Sequence, residues 1–406
     1  MVSFICWEGK ERFFPNYGDR TNIFPARAES NHLDGRGKGE SVHPSVPAPN
    51  PAVEMGKLYQ KLENANRALG RLEGVASILP DTPLLLYMYS RKEALLSSQI
   101  EGTQSSFSDL LLLENEETPG VPRDDTQEVL NYIAAMNHGF TRIREGFPIS
   151  LRLIREIHEI LLSESRGSIK QPGEFRRSQN WIGGTRPGNT SFVPPPPDRV
   201  LDLMSDLETF IHADTPEIPL LVKLGMIHVQ FETIHPFLDG NGRLGRLLIT
   251  FLLCAQGILK QPILYLSLYL KTHRQQYYDL LQRVREQGSW EDWLEFFLDG
   301  IIETSLQASK AAQEILNLFE ADRKRIDSLG RSAASVFRVY QLLQKKPLIK
   351  IPDAARKLSI SVPTVAKSIQ HLENLGIVRE FTGRQYNRQF IYSEYMNILS
   401  QGTEPL

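Results

Sequence analysis

The sequence predicts a mainly α-helical protein with a small β-hairpin in its body and a winged helix-turn-helix near its C-terminal end. Three features carry that prediction. Apolar residues recur three and four positions apart over most of 58–320, the period of helices that bury one face. A single stretch, 171–197, interrupts that period with glycines and prolines. Beyond about 331 the pattern shortens into brief helices followed by two strand-like runs, and the charge turns basic.

In chain order, residues 1–53 are rich in Gly, Pro and Ser and end in Pro44, Pro47, Pro49 and Pro51, which predicts a loosely ordered leader with an extended linker. A helical region, 54–120, follows. Leu58, Leu62, Leu69 and Leu72 make the stripe of its first helix. Asp81-Thr82-Pro83 reads as a capping side chain followed by proline in a first turn. That helix should run through Leu95 and Leu96 to about Ile100 and stop at Gly102. Further helices are expected near 107–116, 124–145, 150–164, 198–213, 217–234, 244–256, 271–287 and 290–320. The main helical domain should cover 121–320. Within it, Trp181-Ile182-Gly183-Gly184 and the run Pro194 to Pro197 suggest a hairpin that projects from the helices. A polar connector at 321–331 should then lead to a winged helix at 332–400.

That last segment has three helical stretches. One carries Val336, Val339, Tyr340, Leu342 and Leu343, a second spans Asp353 to Leu358, and a third opens at Ser361-Val362-Pro363-Thr364 and ends at Leu375-Gly376. Ile377–Phe381 and Gln389–Tyr392 would be two wing strands that turn at Gly383. Thr364, Lys367, Ser368 and His371 are candidates to face a major groove, with Arg379, Arg384 and Arg388 near the backbone. Such modules also dock proteins, and both uses stay open.

Composition narrows the function. A chain of 406 residues that is 41% hydrophobic can bury the cores of two or three domains. Its net charge of −2 argues against bulk attraction to nucleic acid or membrane. The average hides an asymmetry: 331–406 holds 11 Lys and Arg against 5 Asp and Glu, a net of +6, which leaves −8 for the remainder. Two cysteines, Cys6 and Cys254, make neither a disulfide framework nor a metal cluster. The longest apolar run, around Leu247–Ala255, is too short to span a bilayer, and Trp7-Glu8-Gly9-Lys10 breaks any apolar signal core. A cytoplasmic protein is expected.

The densest chemistry lies in His235-Pro-Phe-Leu-Asp-Gly-Asn-Gly-Arg-Leu-Gly-Arg246. His235 supplies a base that is neutral near pH 7. Asp239 is a hard oxygen donor suited to Mg²⁺. Gly240, Asn241 and Gly242 let the backbone aim its N–H groups at one point, an anion nest at the start of a helix. Arg243 and Arg246 follow one turn apart and lean back toward it. The combination points to a polyphosphate.

This stretch resembles the signature of the Fic family of nucleotidyl transferases, His-x-Phe-x-(Asp/Glu)-Gly-Asn-Gly-Arg-x-x-Arg, at all eight of its specified positions. The resemblance implies a helical Fic core and transfer of AMP from ATP to a Tyr, Thr or Ser hydroxyl of a protein, with Mg²⁺ on Asp239; UMP or GMP fits the same motif. His235 would take the hydroxyl proton. Gly240, Asn241, Gly242, Arg243, Leu244, Gly245 and Arg246 would surround the phosphates. The hairpin at 181–193 is similar to the family flap, with Ile182, Gly183 and Gly184 closest to nucleotide and target, and Tyr278 of the pair Tyr277-Tyr278 would line the adenine pocket. His228, seven residues before His235, reads as a packing or supporting histidine.

A second pattern, Ser97-x-x-x-Glu101-Gly102, resembles the family's inhibitory helix. There the glutamate pairs with the second motif arginine, here Arg246, and keeps it from the γ-phosphate. The resemblance therefore implies an autoinhibited adenylyltransferase that acts on a target protein or on itself and is open to pairing as a homodimer. The alternative is a DNA-binding regulator whose Fic-like core only senses nucleotide.

Overall fold

The computed structural model describes residues 53–77, 82–113, 123–163, 166–184, 189–383 and 388–405. The expected leader, all but Val53, and Arg384 lie outside the described residues. Among the described residues, eleven α-helices build the main body: α1 (Met55–Ser77), α2 (Thr82–Ile100), α3 (Phe107–Leu113), α4 (Arg123–Arg144), α5 (Leu151–Leu161), α6 (Val200–His212), α7 (Leu220–Ile234), α8 (Asn241–Ala255), α9 (Ser267–Thr272), α10 (Arg274–Gln287) and α11 (Trp290–Asp327). The winged helix follows as α12 (Ala333–Lys345), β1 (Leu348–Lys350), α13 (Ile351–Leu358), α14 (Val362–Asn374), β2 (Val378–Glu380), β3 (Gln389–Tyr392) and α15 (Ser393–Ser400).

α7 and α8 are the centre of the body. α7 is buried almost all round, from Leu221 to Ile234, and α8 is buried from Arg243 to Leu253, so these two helices read as apolar on every face because every face is covered. α1 lies along α11, tied at its rim by Lys61 to Asp299 at 2.6 Å and Glu295 at 3.2 Å. α4 packs on α2, α5 and α8, and Phe251 of α8 meets Phe140 of α4 edge to face, with ring centroids 4.9 Å apart. Pro219 precedes α7, which therefore starts at Leu220 rather than near 217.

Two expectations need correction, and a third gains a strand. The connector expected at 321–331 is mostly helix, since α11 runs unbroken to Asp327 and the expected boundary at 320 falls inside it. The polar residues there are partnered: Asp322 is buried and accepts the Tyr392 hydroxyl at 2.6 Å, while Phe319 stacks on Tyr392 and Ile326 is fully buried. The helix expected over 271–287 is two, α9 and α10, broken at His273. The two expected wing strands form as β2 and β3, and β1 joins them in a sheet of order β1-β3-β2, antiparallel throughout, because Leu348 and Ile349 pair with Ile391 and Phe390. No described helix is long and apolar enough to cross a membrane.

The α4–α8 contact supplies a test of this packing. A Cβ on Gly139 would stand 2.2 Å from Phe251 Cζ. Gly139→Ala should therefore destabilise the fold by about 1–3 kcal/mol, through overpacking that outweighs the helix preference for alanine. A denaturation midpoint equal to that of the unaltered protein would contradict the tight crossing.

Candidate active site

The α7–α8 junction holds its loop in a shape that few residues tolerate. His235 ends α7 in the left-handed region, at φ 48°, although it carries a side chain. Arg176 holds it there. Its Nε donates to His235 O at 2.9 Å and its Nη2 to Ile234 O at 3.3 Å, while its backbone N–H donates to Pro236 O at 2.9 Å. Phe237 is fully buried, sandwiched against His158 with ring centroids 3.7 Å apart. Asn241 closes the loop, accepting from Phe237 N–H at 2.9 Å and donating to Phe237 O at 2.8 Å.

Beyond Phe237 the chain turns at Gly240, φ 77°, and enters α8. Asp239 Oδ1 accepts from Gly240 N–H at 2.6 Å, and its side chain remains 45% exposed, open to a cation on its outer side. Arg243 is buried between two acids, 3.7 Å from Asp239 and 3.7 Å from Glu128. Its Nε and Nη1 make no hydrogen bond among the described residues. Two buried donors without acceptors suit an oxyanion. Leu244 and Gly245, expected among the nucleotide-contacting positions, turn inward instead. Leu244 is buried with its N–H spent on Gly240 O, and Gly245 lies against Glu232 and Phe231.

Glu101 occupies the space over the first turn of α8. Its Oε1 accepts from Arg246 Nη2 at 2.7 Å, and Ser97 completes the grip, with Oγ and O each accepting from Arg246 at 2.9 Å. A Cβ on Gly242 would come within 2.3 Å of Glu101 Oε1, so this residue must lack a side chain for the carboxylate to sit there. Gly102 provides the left-handed turn, φ 101°, that releases Glu101 from α2. The carboxylate thus leaves the negative end of one helix for the positive end of another. Burial pushes it up, but the charge and hydrogen bond of Arg246 pull harder, and the Glu101 carboxyl is held below its ordinary value. Burial acts against the charge of Arg246 as well, yet Glu101 raises it above the usual arginine range.

Among the described residues, an antiparallel bridge anchors the hairpin. Ile182 N–H donates to Phe192 O at 2.9 Å and Phe192 N–H to Ile182 O at 3.2 Å. Gly183, φ 68°, and Gly184 leave no room for Cβ atoms against Ser191 and Asn189. Tyr277 is core, its hydroxyl 2.8 Å from His228 Nε2, whereas Tyr278 is partly buried and near enough to Glu101 and Arg246 to feel both charges. His228 supports α8, with Nδ1 3.2 Å from Gly245 O.

Family models match three parts of this chain: the Fic/DOC family N-terminal region over 59–141, the Fic/DOC family over 148–253, and a winged helix-turn-helix DNA-binding module over 334–379. The chain carries a Fic domain. It is 32% identical to a protein adenylyltransferase Fic of Aedes aegypti over 252 residues, 60% of this chain and 46% of that one. The corresponding protein of Culex quinquefasciatus is 30% identical over 247 residues, with the same coverage. The chain thus spans about half the length of the curated relatives it matches. The fold resembles a Fic family protein of Desulfovibrio desulfuricans G20, with TM-score 0.51, 20% identity and coverage of 82% of this chain and 96% of that one. It also resembles a Fic domain containing signaling protein of Bacteroides thetaiotaomicron VPI-5482, with TM-score 0.51, 19% identity and coverage of 62% and 97%.

Four residues that shape the Fic site escaped the sequence reading. His158 accepts Gly173 N–H on Nδ1 at 2.9 Å, which leaves its Nε2–H to donate to Asp239 O at 3.0 Å. Arg176 is the loop clamp already described. Glu232 turns its carboxylate toward His235 Nδ1 at 4.0 Å and lies flush against Gly245. Arg285 on α10 donates to Glu232 O and Thr233 Oγ1, and its guanidinium lies 4.2 Å from the Phe192 ring centroid, which joins the hairpin to the end of α7. His158, Arg176 and Arg285 are distant in sequence from the motif and carry no spacing signal. A buried-acid pattern such as Glu232, facing a base one turn later, was the one readable hint.

In the winged helix the groove-facing set is altered. Ser368 is buried, and Thr364, Lys367 and His371 line a polar cleft against Ser332 and Ser335. The outward face of α14 carries Val362, Pro363, Lys367, Gln370 and Asn374.

The Glu101–Arg246 pair gives a pH test. Because the folded carboxyl lies below its unfolded value, the pair's stabilisation is present above the unfolded value and is lost as pH falls through the folded one. The stability difference between unaltered protein and Glu101→Gln should stay flat across neutral pH and shrink only in acid below the ordinary carboxylate range. A difference that disappears near neutrality would refute the pairing.

Proposed function

We propose that this protein is an autoinhibited adenylyltransferase, which moves AMP from ATP to the hydroxyl of a Tyr, Thr or Ser on a target protein or on itself. The observation that carries the reading is the seat of Glu101. A carboxylate rests on the opening turn of α8 and takes the guanidinium of Arg246, where a nucleotide's terminal phosphate would be received. The adenylyltransferase names of the Aedes and Culex relatives support the same chemistry.

In the proposed reaction the target oxygen attacks the α-phosphorus. A new O–P bond forms, the bridging bond between the α- and β-phosphates breaks, and pyrophosphate leaves. The hydroxyl proton passes to His235. Burial, with Arg285 and Arg176 nearby, pushes the His235 imidazole down to about 3, so it is neutral before the attack but a weak base on its own, and taking the proton requires an opposing charge beside it. Arg243, whose buried Nε and Nη1 lack acceptors, and Arg246, once free of Glu101, would hold the phosphate oxygens. The half-exposed carboxylate of Asp239, positioned through His158, fits Mg²⁺ together with the phosphates, and the ion would neutralise charge on the leaving group. Ile182 to Gly184 would lay an extended target segment beside the α-phosphate, and Tyr278 would face the adenine. The basic winged helix is the part suited to hold a target or a DNA duplex near the site.

Glu232 has a supporting part. His235 Nδ1 is buried without a hydrogen bond among the described residues, and Glu232 Oε2 lies 4.0 Å from it, so an imidazolium at His235 would face a carboxylate. Burial pushes the Glu232 carboxyl up to about 7, against the opposing pull of Arg246 and Arg285 and with Glu101 adding to the rise.

Two outcomes follow for labelled ATP and a target lysate. Glu101→Gly should raise AMP transfer by about tenfold or more, the size of a typical coupling between sites, and adding His235→Ala should abolish the gain. Equal labelling by unaltered protein and Glu101→Gly would remove the brake from the account. In the Glu101→Gly background the charge that helps to raise Glu232 is gone, so transfer should climb as pH rises through a point below about 7, where Glu232 ionises, and Glu232→Gln should flatten that climb. An unchanged pH profile would leave Glu232 a packing residue.

A further inference from the structure

The far end of the chain lies against the helix that bears Glu101. α15 leaves β3 at Tyr392 with no intervening loop and lays Tyr395, Met396, Ile398 and Leu399 in the interface with α2 and α11. Residues 401–405 then cross to the end of α2. Gln99, fully buried two positions before Glu101, donates its amide to Ser105 O at 2.9 Å and to Thr403 O at 2.8 Å. Lys271 of α9 donates to the carbonyls of Gly402, at 3.3 Å, and Glu404. Gly402 sits at φ 77°, a backbone region that glycine adopts without strain, and a Cβ there would press on Leu268 Cδ1 at 2.7 Å. Lys92, buried on α2 over the ring of Tyr265 at 4.5 Å, has Glu404 as its facing charge.

None of these residues belongs to the site described above, yet together they buttress the turn that presents it. The last turn of a helix lacks half its hydrogen bonds and opens first. Ser97 and Glu101 both lie at that end of α2, so one fraying event would release both of their holds on Arg246. Withdrawing Thr403 O would leave a buried amide donor short of an acceptor, which favours such fraying.

We propose that residues 401–405 form a strut that holds the Glu101 end of α2 against Arg246, so that the winged helix, through β3 and α15, sets how firmly the site is closed. The inference rests on the inhibitory reading of Glu101. β3 is the central strand of the three-stranded sheet, and Tyr392 at its end bonds to Asp322 of α11 and lies 3.1 Å from the Tyr340 hydroxyl. A shift of that sheet therefore travels directly into α15 and the tail.

The test compares the full chain with a form ending at Ser400 and with Gly402→Val, which forces a branched side chain into Leu268 and into an unfavourable backbone region. Two quantities are read: AMP transfer from labelled ATP, and hydrogen exchange of the amides over 95–106. Both forms should raise transfer by about tenfold and speed exchange over 95–106, while changing transfer by less than about twofold when Glu101→Gly is already present. Unchanged exchange and transfer in either folded form would overturn the strut. So would an equal rise in the Glu101→Gly background, because the tail would then act on something other than the brake. Glu101→Gly alone reads the inhibitory assignment separately: if it fails to activate while tail removal still speeds exchange, the strut is physical but restrains no brake, and the proposal falls with that reading. Should the shortened form lose its cooperative melt, Gly402→Val decides.

Discussion

A buried guanidinium cannot be left bare, and the organisation of this site turns on that constraint. Arg246 is 2% exposed, fixed in the second turn of α8 and surrounded by apolar helix. Removing its charge from water is costly unless an anion and several acceptors meet it. In this structure the partner is Glu101, reinforced by both oxygens of Ser97. On the proposed reading the alternative partner is a phosphate, and the same donors cannot serve both fully. Competition between two anions for one cation is enough to make a two-state element, with no large rearrangement of the core.

The junction that presents Arg246 is stiff for a separate reason. His235 adopts a backbone conformation that is unfavourable for a side-chain-bearing residue, and the surrounding structure imposes it: Arg176 on the carbonyls, Asn241 across the loop, and the His158–Phe237 stack beneath. These supports come from three separated stretches of chain. Glu232 and Arg285 add a charged layer between the base and the hairpin.

What could be read in advance follows from how local each signal is. The helices of the body were legible because one apolar stripe per helix is a local pattern, and α2 and α8 could be placed from Gly102 and the Gly240–Gly242 turn. The motif residues were legible because their chemistry is concentrated in twelve positions. His158, Arg176 and Arg285 were not, since a residue whose job is to hold a carbonyl elsewhere leaves no spacing of its own. The continuation of α11 past 320 was hidden by its polar composition, for Asp322 looks like a linker residue until Tyr392 is seen to donate to it. β1 is three residues long and gains strand character only by pairing with β3. Leu244 and Gly245 stand inside a phosphate motif yet face the core, because alternate positions of a helix cannot all look at one ligand.

Arg176 has one more implication. The guanidinium that bonds to the carbonyls of Ile234 and His235 also bonds to those of Pro195 and Ser178, at the two stems of the hairpin. On the proposed reading, a peptide that levers the hairpin would pull on the backbone of the histidine through a single rigid fork. How well a chain seats itself and how well its hydroxyl is deprotonated would then become one variable instead of two. An acceptor that seats badly would then be discriminated against in turnover as well as in occupancy.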